Sequence, residues 1–145
     1  MKQKNLFRVG CAAVIKRDGK VLLAQRGENT AYAGLWETPG GKLEYGEQPE
    51  DAVRRELEEE TGLKLESARL VQAFSKVIDD YGPWVSLFYE CECSGEPEDL
   101  EPKAHGPWKW FALTSLPSEL TPWAKAYFEA KKPRIVKLSK NRLRE

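Results

Sequence analysis

Residues 41–63 read GKLEYGEQPEDAVRRELEEETGL, in which a glycine turn leads into a short acidic helix. Proline favours the first position of a helix, where its missing N–H leaves no hydrogen bond unmade, so Pro49 marks the start. Gly62 can adopt the left-handed conformation that ends many helices. The pattern predicts a helix over Pro49–Thr61 that follows directly on the glycine turn.

Three glutamates of this helix share one face. Glu56, Glu59 and Glu60 are three and four residues apart, and like charges at this spacing destabilise a helix by roughly 0.2–0.5 kcal/mol per pair. A compensating positive charge is therefore expected. A hard divalent cation is one candidate, and oxygen-only ligation selects Mg²⁺, with Mn²⁺ as a substitute, over zinc. The other is a solvated acidic face with Arg54 and Arg55 as counter-charges.

The glycines before the helix favour the metal. Gly40 and Gly41 carry no side chain, so their main-chain carbonyls can approach an ion closely. Mg²⁺ keeps several waters and binds substrate phosphates, which indicates phosphoanhydride chemistry. His105 is the single histidine of the chain, and acid–base work must therefore fall mainly to carboxylates.

The length and composition predict one globular domain over residues 1–145. No apolar run approaches the roughly 20 residues that span a bilayer, and the basic N-terminus lacks the apolar stretch of a secretory signal. The odd count of 3 cysteines argues against a disulfide framework. These features predict a cytoplasmic enzyme that does not act at a membrane.

Residues 131–145 form a basic tail with seven Lys or Arg side chains against one acid. The whole chain has 23 basic and 23 acidic residues, so residues 1–130 carry a net charge of −6. Aromatic residues that could stack on bases end before the tail. We therefore favour a solvated or partner-packed tail over a nucleic-acid arm, which the basic charge alone leaves open.

Apolar and β-branched runs predict strands on both sides of the helix. Asp18-Gly19 lies between the first two runs and is a hairpin signal, whereas residues 27–34 are small and polar and predict an exposed loop. The pattern favours an α/β fold, an α/β/α sandwich around a mixed sheet. The predicted strands are residues 8–15, 21–25, 70–78, 84–93 and 108–112, and a second helix is predicted over residues 122–132.

The acidic helix and its turn also resemble a known motif. Every specified position of the Nudix box is matched, with spacers of five and seven residues, by Gly41, Glu47, Arg55, Glu56, Leu57, Glu59, Glu60, Gly62 and Leu63. The flanking strand order is similar to a Nudix domain over residues 8–131. The resemblance implies a Nudix fold with a loop–helix–loop catalytic motif. It also implies hydrolysis of a nucleoside diphosphate linked to another moiety.

The resemblance assigns the metal ligands by position. Glu56, Glu59 and Glu60 correspond to the carboxylates that hold Mg²⁺, and the carbonyl of Gly41 corresponds to a further ligand. The metal lowers the pKa of its bound water and leaves a glutamate to accept the proton.

The resemblance implies roles for the other box residues as well. Arg55 should orient the glutamates through charge-assisted hydrogen bonds, and Glu47 contributes through water or directly. Glu56 is our first choice for the catalytic base. Glu101, outside the box, resembles the carboxylate that some relatives recruit, and its alternative is a solvated loop acid.

Residues outside the box bear on the substrate. Residues 35–42 are similar to bacterial MutT-type and cytidine-triphosphate-cleaving members, whereas residues 43–47 and 84–88 resemble animal and plant enzymes for modified purine nucleotides. The first choice is a (deoxy)nucleoside triphosphate, ordinary or oxidised, cleaved to the monophosphate and pyrophosphate. Tyr81 lies near the tyrosine position of diadenosine polyphosphate hydrolases, so a dinucleoside polyphosphate stays an alternative. A non-catalytic nucleotide-binding Nudix module is the other alternative.

Four residues are predicted to bind this small-molecule nucleotide. Glu37 and Ser86 offer polar groups, and Trp123 offers a ring that can stack on any base. Lys42 ends the lead-in to the box. Glu37 has a plain alternative as an exposed acid. Because Nudix relatives often form dimers, the resemblance leaves a homodimer open.

Overall fold

The computed structural model describes residues 6–78 and 81–130. The predicted basic tail and the last two residues of the predicted second helix lie outside this part of the chain. No helix in the described part is long and apolar enough to cross a membrane.

Within residues 6–78 and 81–130, the chain forms seven strands and two helices. In chain order these are β1 (Arg8–Arg17), β2 (Lys20–Gln25), β3 (Trp36–Glu37), β4 (Gly40–Lys42), α1 (Pro49–Thr61), β5 (Lys64–Ile78), β6 (Gly82–Ser94), β7 (Lys109–Ala112) and α2 (Pro122–Glu129). The predicted bounds of α1 are confirmed. The helix ends at Gly62, whose φ of 74° is left-handed and whose N–H donates to the carbonyl of Glu58.

The strands form one mixed sheet in the order β3-β2-β1-β6-β5, with β4 also paired to β1 and β7 to β2. β1 and β6 run parallel, and the other pairs are antiparallel. Asp18 and Gly19 join β1 to β2 with φ angles of 49° and 75°, the signs that a two-residue hairpin of type I′ requires. The predicted mixed sheet and its first hairpin are therefore confirmed.

Each face of the sheet is covered by one helix. On one face, Val53 and Leu57 of α1 pack with buried residues of β1 and β2 that include Leu22. On the other face, α2 packs against a cluster that includes Leu23 and Phe88. The predicted α/β/α sandwich follows, because the apolar residues of β2 point to alternate faces.

The strand β5 is longer than predicted. It begins at Lys64 rather than at residue 70, and its pairing with β6 shifts register twice, between Leu65 and Ser67 and between Leu70 and Gln72. Each shift interrupts the alternation of buried and exposed residues on which the prediction depended.

Candidate active site

The glutamates of α1 meet the glycine strand β4 at the centre of the candidate site. The N–H of Gly40 lies 3.4 Å from Oε2 of Glu60, close enough for a weak hydrogen bond. The carboxyl group of Glu56 lies so near Gly41 that a Cβ there would overlap it. Gly41 is therefore required by the close approach of α1, and Gly40 by the main chain of β1, where a Cβ would overlap the carbonyl oxygen of Cys11.

Arg55 binds the acids around it. Its guanidinium donates to both carboxylate oxygens of Glu47, at 2.7 and 3.0 Å, and to Oε1 of Glu56 at 2.7 Å. Glu59 lies on the same side, with Oε2 3.5 Å from Nη1 of Arg55. The hydrogen bond from Arg55 lowers the pKa of Glu47 and so holds it as a carboxylate. One arginine thus sets the orientation of several box acids.

Glu60 lies deeper than the other box glutamates. It is 2% exposed, and this burial raises its pKa well above the ordinary value, with a further contribution from its hydrogen bond to Glu56. The carboxyl groups of Glu56 and Glu60 are thus in contact, and that of Glu60 is buried. Such a pair is stabilised when the two groups share a proton or when a cation lies between them. The side chain of Glu59 is 52% exposed and faces solvent.

The chemistry of this donor set fits a hard divalent cation. All the donors are oxygens, which suits Mg²⁺ or Mn²⁺, and Gly41 leaves room for the Glu56 carboxyl beside the main chain. As the side chains stand, no group of three Asp, Glu, His or Cys residues in the described ranges 6–78 and 81–130 could hold a metal ion. Glu56 is instead bonded to Arg55, and a bound ion would compete with that guanidinium for the carboxylate.

A cavity of about 310 Å³ lies beside β4. Gly40 and Gly41 line it, so the glutamate cluster and the cavity share one wall. Its volume lies at the lower end of the range for ligand pockets, roughly 300–1,000 Å³. The four residues predicted to bind substrate all line this cavity, namely Glu37, Lys42, Ser86 and Trp123.

Glu37 is a buried carboxylate with two partners on one of its oxygens. It is 5% exposed, and its Oε2 lies 2.9 Å from Nη1 of Arg26 and 3.1 Å from Nε2 of His105. The alternative of a plain exposed acid is therefore wrong. Arg26 also lies over the ring of Trp123, at 5.6 Å from its centroid, and fixes a second predicted cavity residue.

The loop of residues 27–34 was predicted to be exposed, and the structure has Glu28, Asn29 and Ala33 exposed and the other five residues half-buried. Tyr32 lines the cavity, and its ring contacts Trp123 edge-on at 5.4 Å and Tyr81 at 6.3 Å. Its φ of 56° is left-handed, which few residues other than glycine adopt. Ala31 and Tyr32 line the cavity, so this loop forms part of its wall.

Glu101 reaches the site through its main chain. Its carbonyl accepts hydrogen bonds from the N–H groups of Ala104 and His105, both at 3.0 Å. Within residues 6–78 and 81–130, no side chain makes a hydrogen bond or ion pair with its carboxylate. His105 and Arg26 are the site residues that the sequence reasoning missed, and the only signal for His105 was that the chain has no other histidine.

Comparison with known proteins identifies the family. A profile of the NUDIX domain matches residues 4–131. The chain is 45% identical over 67 residues to the CTP pyrophosphohydrolase of Escherichia coli (strain K12). This match covers 46% of this chain and 50% of that protein. The chain is also 32% identical over 96 residues to the 8-oxo-dGTP diphosphatase of Proteus vulgaris. This second match covers 66% of this chain and 86% of that protein. A crystal structure of a MutT NUDIX hydrolase from Burkholderia pseudomallei matches with a TM-score of 0.81 at 41% identity, covering 86% of this chain and 98% of that one.

The chain belongs to the NUDIX domain family, because the matched region contains every residue that the structure describes. Its relatives further identify it as a MutT-like Nudix hydrolase. The predicted Nudix fold is thereby confirmed. The match to the CTP pyrophosphohydrolase spans about half the length of that protein, 50%.

Proposed function

We propose that this protein hydrolyses a (deoxy)nucleoside triphosphate, ordinary or oxidised, to the monophosphate and pyrophosphate in a reaction that requires Mg²⁺. One observation carries the proposal. The main chain of Gly40 and Gly41 contacts the Glu56 and Glu60 carboxyls and also lines the cavity. A nucleoside in this cavity would therefore lie beside the carboxylate cluster, where its phosphates can meet a bound cation.

The box residues have separate roles in this proposal. Glu56, Glu59 and Glu60, with the carbonyl of Gly41, would hold the cation. When bound, Mg²⁺ neutralises phosphate charge and lowers the pKa of a coordinated water. Arg55 orients Glu47 and Glu56 through its short hydrogen bonds.

Glu56 remains our choice for the catalytic base. Arg55 holds one of its oxygens, and this fixes the direction of the carboxyl group. Glu101 is the weaker candidate, because its contribution to the described site comes from its main-chain carbonyl.

The named relatives support the class of substrate. One is called a CTP pyrophosphohydrolase and another an 8-oxo-dGTP diphosphatase, so proteins similar to this chain are named for nucleoside triphosphates with different bases. In this chain, Trp123 offers a ring to any base, and Ser86 is a polar group that lines the same cavity. The proposal therefore commits to the reaction and leaves the base to experiment.

A substrate panel tests the proposal. The purified protein with Mg²⁺ is given ordinary and oxidised nucleoside triphosphates, dinucleoside polyphosphates and ADP-ribose, and products are separated by ion-exchange chromatography. We expect a monophosphate and pyrophosphate from at least one triphosphate, and no turnover once a chelator removes the metal. Cleavage between other phosphates, or turnover confined to dinucleoside polyphosphates, would refute the proposed reaction.

A matched pair of variants tests the site. Glu59→Gln removes one proposed ligand charge, and we expect it to lower kcat by at least about 10-fold, as loss of a metal-site partner usually does. Glu58→Gln makes the same chemical change at the next residue, outside the shared glutamate face, and should retain turnover. Equal losses in the two variants would mean that the metal is held elsewhere.

A further inference from the structure

His105 lies between the cavity and the box glutamates. Its Nε2 is 3.1 Å from Oε2 of Glu37, a hydrogen-bonding distance, and 3.9 Å from Oε2 of Glu60. All three side chains are less than 10% exposed, at 9%, 7% and 2%. One imidazole edge therefore faces two buried carboxyl groups, of which one lines the cavity and the other belongs to the proposed metal cluster.

The local fold fixes the orientation of this ring. The main-chain N–H of His105 donates to the carbonyl of Glu101, and its backbone forms a bridge with Arg26. The imidazole packs on the ring of Trp108 at 5.1 Å, and Nε1 of Trp108 donates to the carbonyl of Glu60. The segment that carries His105 is thus bound to the last turn of α1 by the hydrogen bond from Trp108.

The two ring nitrogens are placed unequally. Nδ1 is buried and has no hydrogen-bond partner, whereas Nε2 faces Glu37. A carboxylate can only accept, so Nε2 must carry the hydrogen that it donates to Glu37. Most buried polar side-chain atoms have a hydrogen-bond partner, so the ring position is set by the bond at Nε2 and not by Nδ1. The hydrogen bond of the His105 ring is made by Nε2 to Glu37, which lines the cavity.

We propose that His105 is a positioning residue that couples substrate binding to metal binding. By donating from Nε2 to Glu37, it holds Glu37 in the cavity wall and keeps its own ring edge beside Glu60. One imidazole edge thus lies against both carboxyl groups, in addition to the ion pair of Glu37 with Arg26 and the contact of Glu60 with the N–H of Gly40. The proposal rests on the proposed function in taking Glu60 as a metal ligand and Glu37 as a cavity residue for the nucleotide.

Three substitutions separate this role from simple packing. His105→Gln can place an amide N–H near the position of Nε2 and so preserve the donor to Glu37. His105→Asn is shorter, and its N–H falls near the position of Nδ1. His105→Leu fills the space without any donor. If His105 only packs, the Mg²⁺ affinity of the variants should follow their side-chain volume and thermal stability. If His105 holds Glu37, Mg²⁺ affinity should be retained only where an N–H donor stays near the position of Nε2.

The measurement is Mg²⁺ affinity by isothermal titration calorimetry on the full chain, together with Tm and with kcat and KM for the triphosphate that wild type cleaves. We expect His105→Leu and His105→Asn to bind Mg²⁺ roughly 10–100-fold more weakly, the usual effect of removing a group that orients a metal ligand, and to raise KM. His105→Gln should stay within about threefold of wild type.

Glu37 supplies the second test. If His105 acts through Glu37, then His105→Leu should weaken Mg²⁺ binding far less in a Glu37→Gln background than in wild type. Mg²⁺ affinity that follows Tm across all variants would overturn the proposal, as would folded His105→Leu protein with wild-type affinity. If His105→Leu does not fold, the contrast between the Gln and Asn variants decides the outcome.

Failure of the proposed function gives a different result. A wild-type protein that cleaves no nucleotide refutes the proposed reaction. The role of His105 is then still tested, because Mg²⁺ affinity and its dependence on His105 and Glu37 are measured without turnover. Conversely, a wild type that cleaves a triphosphate, with variants that show no dependence on the donor at Nε2, refutes only the role of His105.

Discussion

At Gly41 the main chain and the Glu56 carboxyl group occupy neighbouring space with no room for a side chain. A Cβ built on Gly41 overlaps the carboxyl carbon and both oxygens of Glu56. The nearest obstruction is the end of a side chain, so Glu56 rather than the backbone would move. Its hydrogen bond to Arg55, at 2.7 Å, is the contact that such a movement would break.

We therefore expect Gly41→Ala to impair catalysis more than folding. Displacing a catalytic group by about 1 Å can lower turnover by roughly 10²-fold, and an extra methyl in a packed site destabilises by about 1–3 kcal/mol. Turnover and urea denaturation measure the two effects. Gly46→Ala is the control for destabilisation alone, because Gly46 has a left-handed φ of 80° with open space around its Cβ position, so it should lower stability and retain turnover. Full turnover in Gly41→Ala would contradict the proposed placement of Glu56.

The distance in sequence between partners decides which site residues could be predicted. Glu56, Glu59 and Glu60 lie on one helix, where spacings of three and four residues place them on one face. Glu37 and His105 are 68 residues apart, and no local pattern relates them. Their contact depends on the sheet and on the segment before β7, so the burial of Glu37 and the role of His105 emerge only from the fold.

The same reasoning holds for whole elements. The helix α1 could be predicted to the residue because Pro49 and Gly62 define its ends chemically. The start of β5 could not, since its two register shifts break the period of two that identifies a strand. The loop of residues 27–34 looks exposed from its composition, but Tyr32 places an aromatic ring against the cavity.

Gly62 offers a test of how α1 ends. A left-handed conformation costs an L-residue roughly 1–2 kcal/mol, and Asn tolerates it better because its side chain can hydrogen-bond locally. A Cβ at this position meets its nearest atoms at 3.4 Å and beyond, so packing adds little. We expect Gly62→Ala to lower the free energy of unfolding by about 1–2 kcal/mol and Gly62→Asn by less than half of that, both measured by urea denaturation. Equal losses would show that the φ angle is not the cause.

At the scale of the whole molecule, the sheet separates two apolar layers that share the same strands. The layer under α1 holds Trp108 and Trp110 at its margin, and the layer under α2 holds Trp36 and Trp123. β2 contributes to both layers, because adjacent side chains of a strand point to opposite faces. The candidate active site lies where α1 meets this sheet, so its geometry depends on both layers staying packed.

Leu22 and Leu23 of β2 test whether the two layers fold as one unit. Both are 0% exposed, and they belong to opposite layers, so Leu22→Ala and Leu23→Ala remove equal volumes from the two faces of one strand. Each should lower the free energy of unfolding by about 2–5 kcal/mol, a large share of the 5–15 kcal/mol that stabilises a typical domain. We also expect each variant to unfold in a single transition, with far-UV circular dichroism and tryptophan fluorescence coincident in urea, because loss of either layer frees β2 from the other. Separate transitions in one variant would instead show that the layer under α1, with its glutamates, can stay folded when the layer under α2 is lost.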